Sequence, residues 1–158
     1  MGRAIGAVVL GLVVYGLCWY VFIRNAFGGM QPDGIFAAGT YTFTYKWMMI
    51  VTVIGIAAAC GAGRLCRMAA KASKPVHVLA ILCAALGLGY AVYTLLQPDS
   101  GPRVRVVTMW DLVEKTVEPA WFLFVQPTVG YFFVRLAGET IPMPPFLERI
   151  LVRNPSSE

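Results

Sequence analysis

The sequence predicts an all-α protein, an integral membrane four-helix bundle, and two observations carry that prediction. Of 158 residues, 58% are hydrophobic and only 13% charged, whereas a soluble domain carries about 25% charged residues. The apolar excess is gathered into four long blocks separated by short polar stretches. A bilayer core is crossed by about 20 apolar residues in a helix. Lipid offers backbone groups no partner, so a spanning segment is a helix or part of a closed barrel. Blocks that are continuous rather than alternating exclude the barrel. Residues 1–158 form a single membrane domain.

The first span runs from Ala4 to Ile23 without a charge and closes on Trp19, Tyr20 and Arg24, residue types that anchor in the headgroup layer. A cleaved signal peptide has an apolar region of about 7–15 residues and a small-residue cleavage site. This block is longer and lacks the site, so the span is expected to be retained. The second span covers Trp47 to Gly63, with Lys46 and Trp47 at its outer edge, and the third covers Val76 to Leu96 without a charge. The fourth, Ala120 to Gly138, is the least regular. Gln126 and Pro127 sit in its middle and Arg135 near its end. Pro127 removes a backbone donor and predicts a kink.

Lys and Arg in short loops set the orientation. Arg64, Arg67, Lys71 and Lys74 fill the loop between spans two and three with no acid among them, which places that loop in the cytoplasm. Both chain ends then lie inside, with Arg3 at one and the tail 139–158 at the other. Eight of the 13 cations fall on the inner side by this assignment. The other five, Arg24, Lys46, Arg103, Arg105 and Lys115, are matched on the outer side by Asp33, Asp99, Asp111, Glu114 and Glu118.

The first outer loop is rich in turn residues and then alternates as Thr40-Tyr-Thr-Phe-Thr-Tyr45. That pattern reads either as an extended segment or as an aromatic belt opening the second helix, and the belt is the favoured reading. In the second outer loop, Thr108 and Asp111 approximate a capping box. A short interfacial helix is expected from there to about Glu118, with Trp110 in the headgroup layer, and Pro119 then starts the fourth span. Trp121 is a further anchor. In the tail, Phe146 to Arg153 forms a second amphipathic helix, lying on the membrane or docking on a partner.

Small residues recur at four-residue spacing: Ala7 and Gly11 on the first span, then Gly55, Ala59 and Gly63 on the second. On the third, Ala80 pairs with Ala84 and Ala85 with Gly89. Such seams let helices approach closely. Cys18, Cys60 and Cys83 lie in apolar blocks and Cys66 lies between Arg64 and Arg67. With no CxxC pair, neither a thiol redox motif nor a zinc site is indicated, and the cysteines read as small packing residues.

Signs of chemistry are sparse. Spans one to three hold no Asp, Glu, Lys or Arg, so no carboxylate stands within them as a proton relay. His77, the only histidine, sits at the inner start of span three. It reads first as an interfacial residue following Pro75. A single axial ligand to haem or to a chlorophyll-type pigment remains open. A hydrolytic triad is not expected, because no acid accompanies His77 on that side. Nucleic-acid binding is not expected either, because the cations flank apolar blocks rather than forming a stripe. The chain itself predicts no cofactor, and haem, pigment or quinone would enter through partner subunits.

The leading functional expectation is a non-catalytic accessory subunit of a larger inner-membrane complex, respiratory, photosynthetic or transport. Its partners would be membrane lipids and other integral membrane subunits, and its location a bacterial inner membrane. The second is a small transporter or channel component acting as a self-oligomer through Gln126, Pro127 and Arg135. The third is a lipid- or quinone-linked enzyme using tyrosines, tryptophans and Glu118 at the outer interface.

Overall fold

A computed structural model describes residues 2–97, 101–103, 108 and 115–140. Four of its helices are long and apolar enough to cross a bilayer: α1 (Gly2–Gly29), α3 (Tyr45–Ala70), α4 (Lys74–Leu95) and α5 (Ala120–Glu139). A fifth, α2 (Pro32–Ile35), is a single turn. The protein is an all-α membrane bundle, as the four apolar blocks require.

The helices run past the apolar blocks that reveal them. α1 continues six residues beyond Ile23, and α3 seven beyond Gly63. A charge marks where lipid ends, not where a helix must stop, and Arg, Leu, Met and Ala all favour continuation. α3 begins where Thr44 caps it, its Oγ1 accepting the Trp47 N–H at 3.2 Å while donating to the Gly34 carbonyl at 2.7 Å. It ends at Lys71, whose left-handed backbone (φ 54°) turns the chain out of the helix. Ser73 and Pro75 then start α4.

α3 lies against α1 on one side and α5 on the other, and α4 packs chiefly on α5. The short 71–73 connection therefore joins two helices that barely touch one another. Close approach follows small residues. A Cβ placed on Gly63 would overlap the Val134 carbonyl, and one on Gly138 would sit 3.0 Å from the Gly63 carbonyl oxygen. α1 meets α4 where a Cβ on Gly11 would meet Leu79 at 2.5 Å. Ala7, Gly11, Gly55, Ala59, Gly63 and Ala80 are buried in these contacts and Ala84 partly so. Ala85 and Gly89 face outward, and nothing lies within 4 Å of a Cβ on Gly89.

Two apolar cores result. One, near the chain ends, gathers Ala7, Ala59, Cys66, Val76, Leu79 and Val134. The other, near the outer loops, gathers Ile23, Ile35, Phe36, Tyr41, Phe43, Trp47 and Phe122. Here the structure departs from the favoured belt reading. Residues 37–44 fold back on 35–37 as a tight loop, with Thr44 N–H on the Ile35 carbonyl and Ala37 N–H on the Thr42 carbonyl, both at 2.8 Å. Gly39, at φ 71°, closes the turn at its third position. The alternation turns Tyr41 and Phe43 inward, 2% and 8% exposed, because the loop has a core to cover.

The second outer loop joins this layer. Val117 N–H bonds the Tyr41 carbonyl at 3.1 Å and Arg103 N–H the Gly39 carbonyl at 3.0 Å. The Arg103 guanidinium pairs with Asp33. The expected helix running to Glu118 is corrected at its end, where residues 115–118 are not helical and Val117 bridges to Thr42. Trp110 and the expected helices at 109–114 and in the tail lie outside the described residues.

Candidate functional site

A cavity of about 620 Å³ opens between the four long helices at the outer-loop end. Helical spacing explains its walls. Tyr15, Trp19 and Ile23 stand four residues apart on α1, with Tyr20 beside them. Cys83, Leu86, Gly87 and Tyr90 form the matching face of α4, and Phe122, Leu123, Gln126 and Pro127 that of α5. Phe43, Trp47 and Val51 supply the α3 side, and Glu118 lies at the top.

The cavity exists because α1 and α4 touch at Gly11 and Leu79 but are held apart further along. α4 is committed to α5 at that level, where a Cβ on Gly87 would lie 2.8 Å from Pro127. The residues edging the α1–α4 seam are outward-facing: Trp19 is 40%, Leu86 66% and Tyr90 40% exposed. The cavity therefore borders the outer surface of the bundle along this seam.

Its polar groups are few and placed apart. At mid-span Gln126 donates from Nε2 to Thr52 Oγ1 at 2.9 Å, and the Thr52 hydroxyl donates in turn to the Met48 carbonyl at 2.8 Å. Gly55 leaves room for this, since a Cβ there would lie 3.2 Å from Gln126 Oε1. Pro127 has no N–H for the Leu123 carbonyl, and one residue on Thr128 Oγ1 bonds the Phe124 carbonyl at 2.8 Å. At the top, Tyr90 donates its hydroxyl to Glu118 at 3.3 Å. Burial pushes the Glu118 carboxyl up to about 7, and the Tyr90 hydrogen bond only partly offsets it. Trp47, expected as an interfacial anchor, is instead buried, only 1% exposed, and its indole N–H has no hydrogen-bond partner among the described residues. The loop over residues 35–44 covers it, Phe43 packing edge-on against its ring. Trp19, Tyr20 and Trp121 are outward-facing.

The other end of the bundle holds a second polar cluster. His77 Nε2 lies 2.7 Å from Glu139 Oε1, Glu139 also meets Arg135 Nε at 3.2 Å, and Arg135 reaches the Tyr131 hydroxyl at 3.4 Å. The expectation that no acid accompanies His77 is thereby corrected. The first turn of α4 and the last turn of α5 reach the same level, which a separation of 62 residues conceals. One ring nitrogen of His77 is engaged by this contact. Among the described residues no group of three or more His, Cys, Asp or Glu is arranged to hold a metal ion. Gln126 and Pro127 belong to the cavity, whereas Arg135 stands nine residues further, about 13 Å along the axis.

Tyr90 and Tyr15 were not foreseen by number as site residues, whereas Glu118 was foreseen as a group of a lipid- or quinone-linked site at the outer interface. The available signal was an acid directly before a Pro-initiated span, at the level of a tyrosine in an otherwise uncharged one. No protein-family model, curated protein or solved structure matches this chain.

Proposed function

We propose that this protein is a membrane-embedded binding subunit that takes an amphiphile from the bilayer into the cavity between α1 and α4. The carrying observation is a largely apolar cavity, bordering the bundle surface along the α1–α4 seam and closed at the top by a hydrogen-bonding pair, Glu118 and Tyr90. Ligand sites are concave and mostly apolar, with a few convergent polar groups. An apolar tail would lie along Leu86, Leu123 and Val51, and a head group would face Glu118 and Tyr90. This reading keeps the lipid- or quinone-type ligand of the third expectation without its chemistry. The charge bias supports a bacterial inner membrane with both chain ends cytoplasmic.

Mass spectrometry of the protein released intact from a mild nonionic detergent tests the reading. A retained amphiphile is expected, and Leu86→Trp, placed on an exposed lip of the cavity, should expel it. Retention unchanged by Leu86→Trp would reject the cavity as the site.

One observation favours assembly with another membrane chain as well. The outward Ala85–Gly89 face of α4 is unused within the protein, and small residues at this spacing suit a further helix. Stoichiometric co-purification with other subunits would support the accessory role, a homogeneous self-oligomer would support the transporter reading, and a stable monomer would oppose both.

A further inference from the structure

Resting on the amphiphile reading, one question is what head group the top of the cavity accepts. Among the described residues the wall carries one carboxyl group, Glu118, and no Lys, Arg or His lines the space. Seven of the sixteen lining residues are aromatic. Trp19, Tyr20, Trp47 and Tyr90 come from three different helices, so aromatic rings flank the space on several sides. Ring faces attract cations, and cages of them are a recurring way to hold alkylated ammonium groups. A partly buried carboxylate with one side-chain hydrogen bond, from Tyr90, is incompletely compensated, and a ligand cation would supply a further partner. A phosphate-bearing head group would bring an anion that nothing in the wall neutralises.

We propose that the cavity is a receptor site for single-tailed organic monocations, with the ammonium group against Glu118 inside the aromatic wall and the alkyl chain toward Leu123 and Gln126. The acid form of Glu118 then gives up its proton to water as the cation binds, so cation and proton compete for one carboxylate. The other titratable groups lining the cavity are the phenols Tyr15 and Tyr20 from α1 and Tyr90 from α4, with the Cys83 thiol; α3 contributes none. On the segment of Glu118 itself, Lys115 lies over the Tyr41 ring at 5.7 Å. Glu118 is therefore the group that titrates near neutrality in this space.

The test uses the full chain in lipid nanodiscs and compares saturable binding of radiolabelled dodecyltrimethylammonium with that of dodecanol, empty discs serving as blank. The cation is expected to bind about tenfold more tightly than the alcohol at pH 8. Its affinity should rise with pH through about 7 and level off above. E118Q should bring the cation down to the level of the alcohol and flatten the pH profile, and Leu86→Trp should weaken both probes. Equal affinities for cation and alcohol, or a preference that survives E118Q, would overturn the cation site while leaving the amphiphile reading intact. Failure of both probes to bind saturably would overturn both.

Discussion

Gly63→Ala offers the sharpest check on how the helices meet. A Cβ at Gly63 overlaps the Val134 carbonyl oxygen and lies 2.9 Å from its carbon, so the obstacle is backbone and cannot rotate away. Ordinary contact is restored only if α3 and α5 part by about 1 Å, and dispersion falls steeply with such gaps. Ala exceeds Gly in helix propensity by up to about 1 kcal/mol, while overpacking costs about 1–3 kcal/mol. With the full propensity gain the balance is a loss of up to about 2 kcal/mol. Gly61→Ala, two residues away with nothing within 4 Å of its Cβ, keeps the propensity gain without the clash. Thermal unfolding of both variants in one detergent, followed by tryptophan emission, should lower the midpoint for Gly63→Ala and hold or raise it for Gly61→Ala. Midpoints that move together would refute the backbone contact between α3 and α5.

Three other perturbations follow from the polar groups. Thr52→Val strands the Gln126 amide at mid-span and should cost about 1 kcal/mol in unfolding assays, whereas Gln126→Leu, which removes the amide itself, should cost less. Glu118 has its pKa raised from 4.5 to about 7, so the folded state holds its proton more tightly than the unfolded one. Stability from this group is present below pH 4.5 and is lost as pH rises to about 7, so the unfolding midpoint should fall across that window in the wild type, and E118Q should lack that component. Glu139→Gln breaks contacts to both His77 and Arg135, yet these side chains are partly solvated, so the loss should stay within about 1 kcal/mol. A larger drop would mark the cluster as a structural clamp.

The spans were legible because the bilayer sets a length and forbids charge, which writes them into the sequence as uninterrupted apolar blocks. Their helical ends were not, since Arg64 and Arg67 continue α3 on propensity that hydropathy does not record. Gly11, Ala59 and Gly63 were readable as packing residues from spacing alone. Gly55 carried the same signature, yet one of its tasks is to admit the Gln126 side chain, and the Ala85–Gly89 seam faces outward. Spacing reports which residues share a face, not which face meets a neighbour. Tyr41, Phe43 and Trp47 read as headgroup anchors because aromatic residues beside a span suit both an interface and a loop core. The cavity depends on α4 preferring α5 to α1, a tertiary choice fixed at Gly87 and Pro127, so no local pattern displayed it. The same holds for Glu118 with Tyr90 and for His77 with Glu139, pairs made by antiparallel register between distant helices.

The central claim is that apolar chains reach the interior between α1 and α4. Trp47 reports on it, being only 1% exposed yet on the cavity wall. With Trp19, Trp110 and Trp121 changed to Phe, the protein would be reconstituted into bilayers whose acyl chains carry bromine, a short-range quencher. Quenching of Trp47 that is relieved when Leu86→Phe narrows the opening is the predicted result. Emission identical in brominated and plain bilayers would contradict a cavity open to lipid.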